Sequence, residues 1–122
     1  MSRSPEARRR ADDFGRRGEA FAARWLAERG WTILAQRVRT KAGEIDLIAK
    51  RPGLIAFVEV KTRASAAELD LAIDAARLAR VAAAAELLLA DYATGGEDVR
   101  IDVLLIAPGA VRHIENAWLG VT

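Results

Sequence analysis

The chain has 122 residues, which is enough for one domain with a sizeable core and too short for two. No apolar run approaches the roughly 18–20 residues that span a bilayer, and the basic N-terminus lacks the apolar stretch of a secretory signal. We therefore expect a cytoplasmic protein that does not contact a membrane. There is no cysteine and only one histidine, His113, which excludes disulfides, thiol catalysis and zinc sites built from Cys or several His.

Positive charge is concentrated in the first half of the chain. Residues 1–63 hold 15 Lys or Arg against 8 Asp or Glu, whereas residues 64–122 hold 4 against 9. Arginine outnumbers lysine 16 to 3, and its guanidinium is the better match for phosphate oxygens. The asymmetry favours a polyanionic partner, although a general bias toward Arg and Ala with solvated charges explains the composition equally well.

The predicted elements follow the order α-β-β-β-α-β-β. Residues 1–13 are interpreted as a basic N-terminal tail or a frayed helix start, and residues 14–122 as the folded domain. The helical spacing of Phe14, Gly18, Phe21 and Trp25 predicts one buried face of a first helix that ends at Gly30. Alternating patterns predict five strands, over residues 31–38, 44–49, 54–63, 99–106 and 111–114.

Two local signals organise the middle of the chain. Pro52-Gly53 predicts a hairpin, and the strand after it is apolar on both faces from Leu54 to Val58, which is typical of a central strand. Ser65 and Glu68 match a capping box and predict the start of a long second helix that ends near Asp91. The predicted fold class is a single α/β domain with a mixed sheet flanked by helices.

The second and third predicted strands carry charged residues at matched positions. A hairpin centred on Pro52-Gly53 places Asp46 opposite Glu59 and Glu44 opposite Lys61, with Cβ atoms about 4.5–5.5 Å apart. Side chains alternate along a strand, so Glu59 and Lys61 share a face. Two opposed carboxylates repel each other, and a divalent cation such as Mg²⁺ removes that repulsion.

The pattern by itself leaves two interpretations open. In the first, Asp46 and Glu59 bind a metal ion, Lys61 positions or deprotonates the attacking water, and Glu19 reaches the patch from the first helix. In the second, Glu44 and Lys61 form a plain cross-strand ion pair and the other acids face solvent. Apolar residues on the same face favour the metal site, because polar groups among them are costly unless they have a purpose.

The stretches Glu44–Ile48 and Phe57–Arg63 resemble the YraN family, a group of small bacterial proteins assigned to the PD-(D/E)XK nuclease superfamily. Three further motifs extend the resemblance over about residues 14–118: Gly18-Glu19, the spacing of Arg39 and Gly43, and Arg100–Val103. The resemblance implies a restriction-endonuclease-like fold. It also implies a metal-dependent endonuclease that uses Mg²⁺ or Mn²⁺ to hydrolyse phosphodiester bonds.

The resemblance also assigns roles to individual residues. The implied metal ligands are the carboxylates of Asp46 and Glu59 and the carbonyl of Val60. Lys61 is the implied catalytic lysine, and Glu19 is the implied acid of the first helix. The chain departs from the family pattern where Arg37 replaces an expected Asn, where Arg77 replaces an expected Lys, and in the loop after Thr62-Arg63.

The expected partner is nucleic acid, DNA rather than RNA, including branched or repair and recombination intermediates. The basic residues expected to hold its phosphates are Arg37, Arg39, Lys41 and Arg63. A homodimer would allow a unit this small to cut both strands of a duplex. The alternative is a nucleic-acid-binding module that keeps the fold and no longer cleaves, against which the intact acid–lysine set argues.

Two other groups are interpreted as structural. Asp70, Asp74 and Arg77 recur at helical spacing and are read as surface pairs of the second helix. His113 is read as a surface or half-buried strand residue, because a lone histidine makes no triad.

Overall fold

The computed structural model describes residues 4–71 and 74–118. The two α-helices are α1 (Pro5–Glu28) and α2 (Ala75–Tyr92). The strands are β1 (Thr32–Thr40), β2 (Gly43–Arg51), β3 (Leu54–Thr62), β4 (Asp98–Ala107) and β5 (Ala110–Ile114). A short 3₁₀ helix, Ala66–Leu71, lies between β3 and α2.

The five strands form one sheet in the order β1-β2-β3-β4-β5, so β3 is central, as its two apolar faces predict. Only β3 and β4 are parallel, and the other neighbours are antiparallel. Leu47 pairs with Val58 and Arg51 with Leu54, which is the register that the Pro52-Gly53 turn predicts. The mixed α/β architecture predicted from the sequence is confirmed.

The helices cover opposite faces of the sheet. On the α1 face, Ala22 and Leu26 pack against strand residues such as Leu47 and Val58. On the α2 face, the predicted stripe of Leu78, Val81, Ala85 and Leu88 is buried against residues such as Ile48 and Phe57. Among the described residues, no helix is long and apolar enough to cross a membrane.

Both helices begin at other residues than predicted. The first starts at Pro5, where the Ser4 hydroxyl accepts a hydrogen bond from the Ala7 N–H at 3.1 Å, so residues 5–13 are helical rather than a tail. The capping box at Ser65 and Glu68 does form, but it opens the 3₁₀ helix. The cap of α2 is Asp74, whose carboxylate accepts from the Ala76 N–H at 2.9 Å.

The predicted buried face of α1 is partly wrong. Phe14 and Phe21 are 42% and 37% exposed, whereas Gly18, Ala22 and Leu26 are buried. The helix approaches β3 so closely at Gly18 that a Cβ there would overlap the Thr62 Cγ2 methyl. Gly18 is therefore a point of close contact between α1 and the sheet, and the exposed rings of Phe14 and Phe21 lie one before and one after it along the helix.

We expect Gly18→Ala to destabilise the protein by about 1–3 kcal/mol, because β-branched Thr62 is stiff and the overlap must displace α1. Thr62→Ser removes the methyl. In that background the same change should stabilise by about 0.5–1 kcal/mol, since alanine favours a helix over glycine. Urea denaturation of the four proteins of this cycle measures both effects. An equal effect of Gly18→Ala in both backgrounds would contradict the close contact.

Candidate active site

Asp46 and Glu59 lie where the regular pairing of β2 and β3 ends. The last pair is Leu47 with Val58, and beyond it the Val60 N–H donates to Asp46 Oδ2 at 2.8 Å. The Asp46 side chain thus takes the place of the β2 main chain as the hydrogen-bond acceptor for Val60 of β3. Asp46 and Glu59 are 6% and 3% exposed, and both line one cleft of about 430 Å³. The direct cross-strand pairs predicted for Asp46 with Glu59 and for Glu44 with Lys61 are not formed, because the ladder ends at Leu47 and Val58.

The pKa values of the two carboxyl groups are shifted in opposite directions. Burial, a hydrogen bond with Glu59 and the charge of Glu59 raise the pKa of Asp46 to about 8. Burial also acts to raise the pKa of Glu59, but hydrogen bonds with Asp46 and Arg77 outweigh it and lower that pKa. Asp46 is therefore protonated at pH 7 and Glu59 is ionised.

Arg77 supplies the positive charge that holds Glu59 ionised. It lies in the first turn of α2, its Nε donates to Glu59 Oε2, and its Nη2 lies 3.4 Å from Glu59 Oε1. The interpretation of Arg77 as a helix-surface residue is therefore wrong. Helical spacing gives the face of α2 but not its angle across the sheet. The family pattern, which has a lysine at this position, is the one signal in the sequence that marked it.

Glu19 reaches the cleft from α1 and meets Arg37 of β1. Glu19 Oε1 lies 2.7 Å from Arg37 Nε, and burial raises the pKa of Glu19 against the opposing effect of that arginine. Arg37 has a φ of +53°, in the left-handed region that Asn tolerates better than Arg. The Asn expected there from the family thus suits the backbone, and this chain places a long cation there instead.

The basic residues predicted to hold phosphates are divided among three surfaces. Arg37 and Arg39 line the same cleft as Asp46 and Glu59. Lys41 lines a neighbouring cleft, on the other side of Arg39. Arg63 faces neither of them and lines an apolar cavity beside α1.

The ion pair of Glu44 with Lys61, which the alternative interpretation requires, is not formed. Glu44 instead lies 3.6 Å from the exposed Arg39. Lys61 lines the cleft and makes no ion pair with any residue that the structure describes. Its ammonium lowers the pKa of Glu59 through its charge, after the larger effects already described. The lysine is thus available to an anion in the cleft.

The oxygen atoms in the cleft suit a hard divalent cation. Within residues 4–71 and 74–118, no three or more His, Cys, Asp or Glu side chains group into a ligand set. Mg²⁺ needs fewer, because it takes one or two carboxylates and fills its other positions with water and phosphate oxygens. Asp46, Glu59 and the main chain of Val60, which all line the cleft, fit that requirement.

The fold and the site together define a class of protein. It is a small mixed α/β domain with a buried carboxylate pair, a lysine and several arginines in one cleft. The family model described as "Uncharacterised protein family UPF0102" matches residues 18–106. The chain therefore belongs to this family, which is the YraN family indicated by its motifs.

Curated relatives match nearly the whole chain. A UPF0102 protein of Erythrobacter litoralis is 64% identical over 109 residues, covering 88% of this chain and 94% of its own. One of Rhizorhabdus wittichii is 55% identical and covers 90% and 94%. One of Sphingopyxis alaskensis is 52% identical and covers 88% and 94%. These similarities show the family and leave the activity to be argued from the site.

Proposed function

We propose that this protein is a metal-dependent nuclease that hydrolyses phosphodiester bonds in nucleic acid, with DNA, including branched or repair intermediates, as the expected substrate. The observation that carries the proposal is the buried pair of Asp46 and Glu59 beside Lys61. Two ionised acids in contact repel each other and destabilise the folded protein. The repulsion is removed when one acid takes up a proton, in keeping with the raised pKa of Asp46, or when a cation binds between them. Pairs kept at such a cost are characteristic of functional sites.

The residues around the pair supply what phosphodiester hydrolysis needs. Asp46, Glu59 and the Val60 carbonyl would hold Mg²⁺ or Mn²⁺, which when bound polarises the phosphate and acidifies water. Lys61 would orient the attacking water or donate to a phosphate oxygen as negative charge develops. The water oxygen forms the new bond to phosphorus, and the bond to the leaving sugar oxygen breaks.

The cations around the cleft have two environments. Arg37 is paired with Glu19 and Arg77 with Glu59, so each is held in place by an acid of the site. Arg39 lines the cleft but is largely exposed, with 86% of its side chain accessible, so it could contact a phosphate at the mouth of the cleft. Such contacts carry no base information, which supports sequence-independent and salt-dependent binding.

Lys61→Met provides the test that separates chemistry from metal binding. We expect it to reduce cleavage by about 10²-fold or more, on the order of what a positioned acid–base group contributes, while the rise in melting temperature with Mg²⁺ or Mn²⁺ persists. Linear, nicked, flapped and four-way DNA are incubated with each metal and with EDTA. Lys50→Met is the matched control, because Lys50 lies on β2 outside the cleft and pairs with Glu97 at 3.2 Å.

Absence of cleavage of every substrate by the wild type, with both metals, would overturn the nuclease proposal. Salt-dependent binding in that case would support the non-cleaving nucleic-acid-binding module instead.

A further inference from the structure

The exposed rings of Phe14 and Phe21 flank a cavity of about 230 Å³ that the proposed chemistry does not use. They are seven residues apart on α1, which is about 10.5 Å along the axis, and Gly18 between them lies against Thr62 at the end of β3. Two half-exposed aromatic rings beside one cavity are unusual on a domain whose other helix face is well covered. A cavity flanked by exposed aromatic rings is typical of a ligand-binding site.

The walls of the cavity combine apolar and basic groups, and none of the described residues that line it is acidic. Its remaining residues come from the ends of β3 and β4 and from α1: Arg17, Thr62, Arg63, Ile106, Ala107 and Pro108. Arg63 is fixed by the chain around it, since its Nη1 donates to the Thr62 carbonyl at 2.7 Å and its N–H to the Ile106 carbonyl at 2.9 Å. An apolar cavity with a cationic rim favours a flat apolar group attached to an anion.

The cavity adjoins the candidate active site through two chain segments. Thr62 and Arg63 follow Lys61 directly, and Gly18 precedes Glu19. Side chains alternate along β3, so Lys61 and Thr62 leave opposite faces of the sheet, and the cleft and the cavity meet along α1. Gly15, Arg16 and Glu19 line the cleft, and the residues beside them in the helix, Phe14, Arg17 and Gly18, line the cavity. A nucleic acid chain whose phosphate lies in the cleft can therefore reach the cavity across α1 with a neighbouring nucleotide.

The size of the cavity favours a small ligand over a second protein chain. Pockets for drug-sized ligands measure about 300–1,000 Å³, so this cavity suits a single planar ring system. A stable dimer interface buries about 800 Å² on each partner, which needs a much broader apolar surface. Stacking on aromatic rings with arginine nearby is how proteins bind unpaired bases.

We propose that the cavity flanked by Phe14 and Phe21 binds an unpaired nucleobase next to the phosphate in the cleft, so that the substrate class is nucleic acid with at least one unpaired nucleotide. This rests on the proposed function for the position of the phosphate. A blunt duplex has no unpaired base to place there, whereas a single strand, a flap or a branch does.

Binding in EDTA tests this separately from cleavage. Fluorescence anisotropy compares a single-stranded oligonucleotide with a blunt duplex. Removal of one stacking ring by Phe14→Ala or Phe21→Ala should weaken single-strand binding about 5- to 150-fold and change duplex binding less than twofold. Phe14→Trp should restore single-strand binding. Leu87→Ala, a change of another exposed apolar residue on α2, is the matched control and should alter neither.

A base analogue reports occupancy directly. The fluorescence of 2-aminopurine in the single strand should be quenched by the wild type and not by Phe14→Ala, a readout that a merely structural role of the ring would not move. Equal loss of single-strand and duplex binding, or no loss, would overturn the proposal. So would light scattering that shows a dimer dissociated by Phe14→Ala, because the occupant would then be a second copy. Loss of single-strand preference by Phe14→Ala, when the wild type never cleaves, would support the cavity and overturn only the nuclease.

Discussion

Asp46→Asn should reduce cleavage by orders of magnitude while leaving the metal-free protein at least as stable as the wild type. Protonated Asp46 accepts from the Val60 N–H and contacts Glu59, and an Asn side chain reproduces both interactions. The two proteins should therefore be about equally stable below the ordinary pKa of 3.8, where Asp46 is protonated in both the folded and the unfolded state. The proposed metal ion, in contrast, would lose a carboxylate ligand, so Mg²⁺ or Mn²⁺ should raise the melting temperature of the wild type and not of the variant.

The stability difference should depend on pH. The pKa of Asp46 is about 8 in the folded protein and is ordinarily 3.8, so between these values the folded state holds a proton that the unfolded state has lost. The free energy of unfolding of the wild type therefore falls as pH rises through this range. The amide that Asp46→Asn introduces does not titrate, so the variant should be more stable than the wild type by about 0.5–2 kcal/mol near pH 7, and the difference should widen until the pH passes about 8.

Thermal melts of both proteins at pH 6, 7 and 9, with EDTA and with each metal, measure these effects. Asp91→Asn is the control, because it makes the same charge change at an exposed position of α2. A variant that is less stable than the wild type at every pH, with no metal response in either protein, would mean that Asp46 serves only in structural pairing.

Asp102→Asn should lower the free energy of unfolding by about 3 kcal/mol, because it removes the buried carboxylate that pairs with the half-buried Arg100 and with His113. The Asp102 carboxylate is fully buried in β4 and accepts hydrogen bonds from Arg100 at 2.9 and 3.1 Å and from the Asn116 N–H at 2.9 Å. A ring nitrogen of His113 lies 2.8 Å from the same carboxylate, so Asp102 fixes the orientation of this half-buried side chain of β5.

The sign of the pH dependence is opposite to that of Asp46. Burial acts to raise the pKa of Asp102, but its hydrogen bonds with His113, Arg100 and Asn116 lower it below 3.8. The stabilisation is therefore complete above the unfolded value and is lost as pH falls through the folded one. Urea denaturation should show the gap between wild type and Asp102→Asn narrowing below about pH 4. Asp98→Asn, an exposed site on the same strand, should stay within about 0.5 kcal/mol. A loss of similar size in both variants would contradict the role of the buried network.

Local chemistry was enough to predict the centre of the site. Pro52-Gly53 fixes a turn, and the turn fixes the register of β2 and β3 as far as Leu47 and Val58. Asp46 and Glu59 come directly after that pair and line one cleft. The central position of β3 likewise follows from its apolar residues on both faces. Each of these inferences needs only neighbours in the chain.

The capping pattern in the sequence predicted that a helix starts at Ser65 but not which kind of helix it is. A capping box satisfies the first free N–H groups of any helical turn, so Ser65 and Glu68 mark a helix start without saying which kind follows. In the same way, the spacing of Phe14 and Phe21 indicates one side of α1. The distance of that side from the sheet is set at Gly18, where α1 contacts Thr62.

The sequence by itself determined the order of the elements and the hairpin register as far as Leu47 and Val58, since these follow from turn residues and periodicity. Only the tertiary structure decided what the acidic residues contact. Arg77 reaches Glu59 from α2, Glu19 meets Arg37 from α1, and His113 meets Asp102 across β4 and β5. Each contact joins residues far apart in the chain. Their distances depend on strand order and on how each helix crosses the sheet, and neither is encoded in local periodicity.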